Sequence, residues 1–265
     1  MLVITLTTDY GNRDYFVSAL RGSLLKIKEN IKIIDITHEI SPFNINEAAY
    51  ILKNSYKYFP EKSIHIIGIS ETFKKNIKYK LCKKFNHYFI SSDSGIFSLM
   101  FPDLEFEELI NIDFDNTKSL YPILDLSVDI INKIKDNFDL SKIGKKTNEL
   151  KILKSFQPTI SFNNKILNGQ IIYIDRFGNL VSNISSKIFN DFTLNKKFKI
   201  NLPRKYSITS IKETYSEVNE GEIIALFNSA GFLEISISKA DLNKSNGASG
   251  LLGIDIMDII QIEIT

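Results

Sequence analysis

The spacing of apolar residues changes once along this chain, and that change constrains the fold more than any other feature. Before about residue 157, strand-like apolar runs alternate with helical patterns, and after it short runs are separated only by turn residues. The first pattern predicts a mostly parallel α/β/α sandwich, and the second predicts an antiparallel β domain. We therefore expect an α/β fold with an N-terminal α/β domain over 1–157 and a C-terminal β domain over 158–265. Gln157-Pro158 can serve as the hinge, because the residue before a proline is pushed towards extended geometry.

The individual elements follow from the same patterns. In the first domain we expect strands near 2–8, 31–36, 63–69, 77–82 and 87–92 and helices near 14–28, 45–56 and 122–135. In the second domain we expect only strands, near 158–162, 169–175, 197–200, 206–210, 223–227, 231–237 and 256–264.

The composition disfavours several classes of function. The net charge is +2 with acidic and basic residues interspersed, so we expect neither a nucleic-acid surface nor a membrane surface. No apolar run is long enough to span a bilayer, and Met1 leads directly into the first strand, so we expect no signal peptide. The single cysteine, Cys82, excludes an internal disulfide and indicates a cytoplasmic protein.

The stretch from Asp175 to Asn183 is the most informative motif. It follows the apolar run 171–174 and presents the carboxylate of Asp175, the aromatic ring of Phe177 and the amide of Asn179 within one turn. An adenine ring needs a flat apolar surface together with amide-type donors and acceptors, so these residues are candidates for binding it. Gly-Asn after a strand is also common hairpin chemistry, which is the simpler interpretation of this motif taken alone.

A second motif follows the first predicted strand. Asp9 and Asp14 lie where a strand passes through a glycine turn into a helix, which is the edge where open α/β sheets bind ligands. A carboxylate there can accept hydrogen bonds from a ribose diol or pair with an ammonium group. The structural alternatives are a turn residue for Asp9 and a helix N-cap for Asp14.

Two further stretches also follow strands. His38, beside Asp35 and Glu39, resembles an acid–base or metal cluster, but a single histidine makes a poor metal site and we expect no metal. Phe43 in the same loop can wall a pocket or pack in the core. Asn228-Ser229 lies between two strands, where it is either an ordinary hairpin turn or a holder for a small carboxylate.

Taken together, these motifs identify a family resemblance. Asp9-Tyr10-Gly11, Asp35-Ile36-Thr37-His38, Asp175-x-Phe-Gly-Asn and Asn228-Ser-x-Gly-x-Leu-Glu-Ile occur in the order and spacing of the S-adenosylmethionine (SAM) hydroxide adenosyltransferases. That family also contains the SAM-dependent fluorinase and chlorinase, and the resemblance covers nearly the whole chain. It implies attack on the C5′ carbon of SAM by water or halide, with SAM as substrate and no cofactor. It also implies a C-terminal β-barrel and a homotrimer with active sites between subunits.

The resemblance carries over roles residue by residue. It implies that Asp9 binds the ribose hydroxyls, that Asp14 and Asp175 bind the methionine ammonium group, and that Ser229, with Asn228, binds the methionine carboxylate. Phe177 and Tyr215 would flank the adenine, Asn179 would bind its edge, and Phe43 would lie near the ribose. Tyr215 lies in no clear motif, so a plain surface or core aromatic is an equally good interpretation of it.

The nucleophile region departs from the family pattern. Ser70 takes the place of an aspartate, no arginine follows it, and a histidine-containing segment is replaced by the residues around Asp115. The candidates for orienting the nucleophile are therefore Ser70, Glu71, Thr72 and Asp115. Three interpretations remain: a SAM hydrolase with a remodelled water site, a halogenase or other SAM-cleaving enzyme, and a SAM-binding protein without turnover. We favour water as the nucleophile, giving adenosine and L-methionine.

Overall fold

The computed structural model describes most of the chain in two compact units, Met1–Lys154 and Ser155–Thr265. The described residues are 1–27, 30–70, 77–115, 119, 121–134, 139–161, 163, 165–194, 196–203, 206–240 and 247–265. Across these ranges, we find no helix with the length and apolar character needed to traverse a bilayer.

The first unit is built on a seven-stranded sheet. Its strands are β1 (Leu2–Thr8), β2 (Ile31–Thr37), β3 (Ile64–Gly68), β4 (Tyr79–Lys84), β5 (His87–Ser92), β6 (Glu108–Ile112) and β7 (Gly144–Lys146). Their order is β2-β1-β3-β5-β4-β6-β7. The ladders among β2, β1, β3 and β5 are parallel, and those joining β5, β4, β6 and β7 are antiparallel.

Helices cover both faces of this sheet, as an α/β/α sandwich requires. They are α1 (Phe16–Leu25), α2 (Ile45–Ser55), α3 (Ile96–Met100) and α4 (Pro122–Ile134). On one face, Leu20 and Leu24 of α1 and Ile130 of α4 pack in the cluster that includes Leu6. On the other face, Leu52 of α2 packs in a separate cluster with residues of α3. The sequence pattern and the layers therefore agree.

The second unit is an antiparallel sheet that nearly closes into a barrel. Its strands are β8 (Thr159–Ser161), β9 (Ile166–Ile174), β10 (Leu180–Ser185), β11 (Phe198–Asn201), β12 (Ser207–Ile208), β13 (Ile223–Phe227), β14 (Phe232–Ile237) and β15 (Ile259–Ile264). The order is β12-β11-β15-β9-β10-β14-β13, with β8 on β9. A bridge between Lys212 and Leu226 brings the chain that follows β12 back to β13. Helices α5 (Ser186–Thr193) and α6 (Gly247–Leu252) complete the unit.

The predicted fold class is confirmed, and the differences have local causes. The first sheet is mixed because Phe85 and Asn86, both at positive φ, form a tight hairpin that returns β5 antiparallel to β4. Strand β10 was not predicted, because its Ser182 and Asn183 resemble turn residues in the sequence. Both side chains are buried and hydrogen-bonded to backbone, Ser182 to Leu233 O and Asn183 to Phe156 O. Strands β6 and β7 and helices α3, α5 and α6 were also missed; all are short.

Candidate functional site

Asp9 lies at the point in the first sheet where the strand order reverses. In the sheet, β1 lies between β2 and β3, the next two strands of the chain. Asp9 comes directly after β1. In open α/β sheets, ligands bind outside the carboxyl ends of the strands at such a point. Asp9 therefore lies where this type of sheet can bind a ligand, as its sequence motif predicted.

The carboxylate of Asp9 organises the two neighbouring loops. Its Oδ2 accepts hydrogen bonds from the backbone N–H of Phe43 at 2.8 Å and of Ser70 at 3.1 Å. Both donors are non-glycine residues at positive φ, 65° and 57°. Among the described residues, none donates to Oδ1 of Asp9, so that oxygen can meet a ligand. The side chain of Phe43 is 64% exposed and does not belong to the core.

His38 is buried beneath this edge and acts as a neutral brace. Its Nδ1 is hydrogen-bonded to Thr8 Oγ1 at 2.8 Å, and its Nε2 lies 3.1 Å from Asp35 Oδ1 without hydrogen-bond geometry. Asp35 is paired with Arg21. Burial, with a further contribution from the Arg21 charge, lowers the pKa of His38 to about 4, against a small opposing effect of Glu39. His38 is therefore uncharged near neutral pH.

The other candidates of the first unit are Asp14, Asp115, Glu71 and Thr72. Asp14 is exposed and makes no hydrogen bond to any described residue. The alternative in which it caps α1 is wrong, because the N-cap is Tyr15 and no side chain caps that helix. Asp115 is exposed beyond the end of β6. Glu71 and Thr72 lie outside the described residues.

In the second unit, the predicted motif forms the turn between β9 and β10. Oδ1 of Asp175 accepts hydrogen bonds from the backbone N–H of Phe177 and of Asn179, at 2.8 and 2.9 Å, and Oδ2 accepts one from Asn179 Nδ2 at 2.9 Å. Gly178, at φ 73°, allows the turn to close. Oδ1 of Asn179 accepts a hydrogen bond from Ser236 Oγ. The motif therefore forms a hairpin turn, as its simpler interpretation predicted. The same turn holds the backbone that carries the ring of Phe177.

Helix α6 packs against the turn that contains Phe177 and Gly178. The N–H of Ser249 donates to Gly178 O at 3.0 Å. Gly247 is at φ 64°, and a Cβ there would overlap the carbonyl oxygen of Phe177. Only glycine lets the helix approach so closely. The ring of Phe177 is nevertheless 63% exposed.

Four of the predicted residues line one pocket of the second unit. The pocket has a volume of about 670 Å³, within the range of small-molecule sites. Its lining includes the four predicted residues Asp175, Phe177, Asn179 and Tyr215. The sequence motif located the first three, and Tyr215 joins them from a short 3₁₀ turn 36 positions after Asn179. Aromatic rings beside a carboxylate and an amide are the groups that a planar, polar-edged ring requires.

Asn228 and Ser229 form the turn between β13 and β14. Oδ1 of Asn228 accepts hydrogen bonds from the N–H groups of Ala230 and Phe232, at 3.0 and 3.2 Å. Ser229 is exposed at the tip and makes no hydrogen bond to a described residue. Neither residue is among those lining the 670 Å³ pocket.

Sequence reasoning gave no role to two buried polar residues of β14, one of which, Ser236, lines the pocket. Glu234 and Ser236 lie on β14 with 3% and 2% exposure, among apolar neighbours. Glu234 accepts hydrogen bonds from Tyr215 and Asn228, and Ser236 donates to Asn179. The available signal was a charged residue inside the apolar run Leu233 to Ile237, which burial makes expensive unless it is hydrogen-bonded.

The fold and these residues define an α/β protein with a pocket of the size that small molecules occupy, and comparison with known families is more specific. Residues 4–144 match the family model of the SAM hydroxide adenosyltransferase N-terminal domain, and residues 169–261 match that of the C-terminal domain. The chain belongs to the SAM hydroxide adenosyltransferase family.

Individual relatives agree with this assignment. The chain is 30% identical over 278 aligned positions to an (R)-S-adenosyl-L-methionine hydrolase from Methanocaldococcus jannaschii, covering 98% of this chain and 95% of the relative. A shorter match, 26% identical over 62 residues, is to a fluorinase from Actinopolyspora mzabensis, 23% of this chain and 21% of that one. A crystal structure of an uncharacterized conserved protein from Thermotoga maritima has a TM-score of 0.84 at 23% identity, covering 99% of both chains, which shows a shared fold.

Proposed function

We propose that this protein hydrolyses SAM to adenosine and L-methionine. The observation that carries the proposal is the pocket in which Asp175, Phe177, Asn179 and Tyr215 meet, because it offers aromatic surface and polar groups to an adenine ring. Membership of the family and the near full-length similarity to a relative named as a SAM hydrolase support the same reaction.

The proposed reaction is a single displacement. The oxygen of water attacks C5′ of SAM, the C5′–S bond breaks, and its electron pair moves to sulfur, which becomes the neutral thioether of methionine. The water proton is lost to solvent or to a nearby base. A sulfonium is already a good leaving group, so the reaction needs no cofactor and no general acid. The protein contributes alignment of the two reactants and a polar site shielded from bulk water.

In this proposal each predicted residue has a defined task. The unoccupied Oδ1 of Asp9 accepts from the ribose hydroxyls, and Phe43 lies beside the ribose. Phe177 and Tyr215 flank the adenine, and Asn179 binds its edge through the second N–H of its amide. Asp175 and Asp14 attract the methionine ammonium group, while Ser229, with Asn228, receives the methionine carboxylate.

The nucleophile site is proposed to hold water. Water is far more concentrated in cells than any halide, and a pocket without strong selection admits it. A halide site requires donors and no inward carboxylate, because anions repel strongly at low dielectric. We propose that the group that orients this water comes from Ser70, Glu71, Thr72 and Asp115, with a carboxylate as the favoured one.

We further propose that the active form is a cytoplasmic homotrimer with sites at subunit interfaces. The buried, unpaired Cys82 fits a reducing compartment. Light scattering tests the assembly, and a monomer mass accompanied by full activity would refute the trimer.

The experiment that tests the reaction uses isotopically labelled water. Purified protein is incubated with SAM in heavy-oxygen water, and the products are separated by mass. We expect methionine together with adenosine that carries heavy oxygen at C5′. In parallel chloride buffer, 5′-chloro-5′-deoxyadenosine as the main product would indicate a halogenase instead. SAM that is bound but unchanged would indicate a protein without turnover.

A further inference from the structure

The buried carboxylate of Glu234 is linked to the candidate pocket by hydrogen bonds. Glu234 is 3% exposed on β14, where its register partners are Val181 on β10 and Leu226 on β13. Among the described residues, no lysine, arginine or histidine forms an ion pair with it. A carboxylate without a cation is retained in such a place only if neutral donors satisfy it.

Both oxygens of Glu234 are satisfied by groups of neighbouring loops. Oε1 accepts a hydrogen bond from Tyr215 Oη at 2.5 Å, and Oε2 accepts one from Asn228 Nδ2 at 3.2 Å. The amide of Asn228 cannot be reversed without loss, because its oxygen accepts from Ala230 and Phe232 N–H. Tyr215 lines the pocket, and Asn228 begins the turn that carries Ser229. The carboxylate of Glu234 therefore connects Tyr215, in the pocket lining, to the turn that begins at Asn228.

Burial acts on the ionisation of both partners. It raises the pKa of Glu234, while the hydrogen bonds from Tyr215 and Asn228 oppose that rise. Burial raises the pKa of Tyr215, and its hydrogen bond to Glu234 and the charges of Glu234 and Asp175 raise it further, so the phenol remains a donor. The backbone of Tyr215 is held by its 3₁₀ turn, Tyr215–Glu217, with a Thr214–Glu217 capping box, and by a hydrogen bond that Ser238 Oγ donates to Tyr215 O at 3.3 Å. The side chain of Tyr215 is nevertheless 45% exposed. Among the described residues, Glu234 is the hydrogen-bond partner of the phenol hydroxyl, so it fixes the far end of the ring.

We propose that Glu234 is a positioning residue that holds Tyr215 in the orientation needed to bind a flat aromatic ring. The inference rests on the proposed function, since it takes the adenine of SAM as that ring. Glu234 does not touch the reacting bond, so its effect is on substrate affinity. Through its hydrogen bond from Asn228, Glu234 also holds the turn that is proposed to bind the methionine carboxylate.

Glu234→Gln and Tyr215→Phe test the link from its two ends. In Glu234→Gln the side-chain oxygen can still accept from Asn228, but the N–H₂ group then faces Tyr215, whose hydroxyl must accept instead of donate. The charge-assisted hydrogen bond from the phenol is therefore lost even if a neutral one replaces it. Glu263→Gln is the matched control, because Glu263 also accepts from an asparagine, Asn201, within the second unit but does not line the pocket. Each variant is first checked for the wild-type melting profile, and binding is measured well below the melting temperature.

Calorimetry with adenosine and steady-state kinetics with SAM give the readout. We expect Glu234→Gln and Tyr215→Phe each to weaken adenosine binding about tenfold, and the double variant to bind no more weakly than either single variant, because the two residues act as a unit. KM should rise while kcat stays within about threefold, as expected when binding is lost equally in the ground and transition states. Glu263→Gln should behave as wild type.

Three outcomes would overturn the inference. Wild-type adenosine affinity in Glu234→Gln would leave the carboxylate without a role in binding. Effects of the two single variants that add in the double variant would mean that they act separately. A fall in kcat with unchanged KM, in variants that melt like wild type, would mean that the residues act in the transition state and not in binding. If the wild-type protein itself does not bind adenosine, the proposed function is wrong. That result is distinct from the three outcomes above, which all require binding by the wild-type protein.

Discussion

The carboxylate of Asp9 accepts a hydrogen bond from the backbone N–H of Ser70, which lies 61 residues further along the chain. The same oxygen accepts from Phe43 N–H, and both donors are at positive φ. A residue with a side chain adopts that conformation only when its surroundings compensate for the strain. Asp9 therefore stabilises the loops after β2 and β3 in addition to its proposed contact with the ribose.

Replacing Asp9 should separate these two roles. Asp9→Ala should weaken adenosine binding by about 1.5–3 kcal/mol and lower the free energy of unfolding by about 1 kcal/mol, since charge-assisted hydrogen bonds are lost. Calorimetry and urea unfolding measure the two quantities. Asp14→Ala is the control and should leave unfolding unchanged, because Asp14 is exposed. If Asp9→Ala binds adenosine as tightly as wild type, Asp9 only braces the loops.

The strain at Phe43 can be measured with two small residues. Phe43 is largely exposed, so truncation removes little packing, but its φ of 65° favours glycine over any residue with a Cβ. Phe43→Gly should be more stable than Phe43→Ala by about 1 kcal/mol. Urea unfolding of the pair measures the difference. Equal stability of the two variants would mean that the left-handed conformation carries no strain.

Stability should fall in mild acid because His38 is held neutral. Its pKa is lowered from 6.5 to about 4, so below pH 6.5 the unfolded chain takes up a proton that the folded protein does not. The stabilisation present at neutral pH is lost as pH falls through this window, by up to about 3 kcal/mol. His65, whose pKa burial lowers to about 3, adds to the same trend.

The variant His38→Asn measures how much of this loss of stability in acid is caused by His38. Asparagine can keep the hydrogen bond to Thr8, because its amide reaches the position of Nδ1, but it does not titrate. Urea unfolding at pH 7 and at pH 4.5 should therefore show a smaller loss for His38→Asn than for wild type. An unchanged pH dependence would assign the whole effect to other groups.

Phe177 should matter for binding and not for stability. Its ring is 63% exposed, so Phe177→Ala should leave the melting temperature within about 2 °C of wild type. Adenosine affinity should fall by about 1–3 kcal/mol, the typical value of a base stacked on an aromatic ring. Phe85→Ala, at an equally exposed phenylalanine of the first unit, should change neither quantity. Loss of stability with intact binding in Phe177→Ala would contradict the stacking role.

The support beneath Phe177 gives a further test. Gly247→Ala should push the Phe177-Gly178 turn outwards, because the added Cβ overlaps the Phe177 carbonyl oxygen. We expect weaker adenosine binding than for wild type and a moderate loss of stability from the positive φ of Gly247. Ser249→Ala removes only a hydroxyl that bonds Ile254 O, and keeps the backbone donor to Gly178. It should bind adenosine normally, and equal behaviour of the two variants would show that the turn tolerates the displacement.

The sequence was sufficient wherever the signal was local. Period-two and helical patterns located β1, α2 and α4 to within one residue, and α1 and β9 to within three, because one buried face imposes its period on the sequence. The turn at Asp175-Phe177-Asn179 was recognisable for the same reason, since its hydrogen bonds join residues at most four apart. Buried polar strand residues such as Ser182 were misjudged, because their partners come from another strand.

The amino-acid sequence by itself determined the fold class, the family and the residues of the local turns. The family resemblance, and no local pattern, placed Tyr215 with Phe177. Only the tertiary structure decided that Glu234 accepts a hydrogen bond from Tyr215 and that Asp9 reaches Phe43 and Ser70. Each of these relationships joins residues between 19 and 61 positions apart. No short-range pattern records such a contact, because it arises from the order in which strands assemble in a sheet.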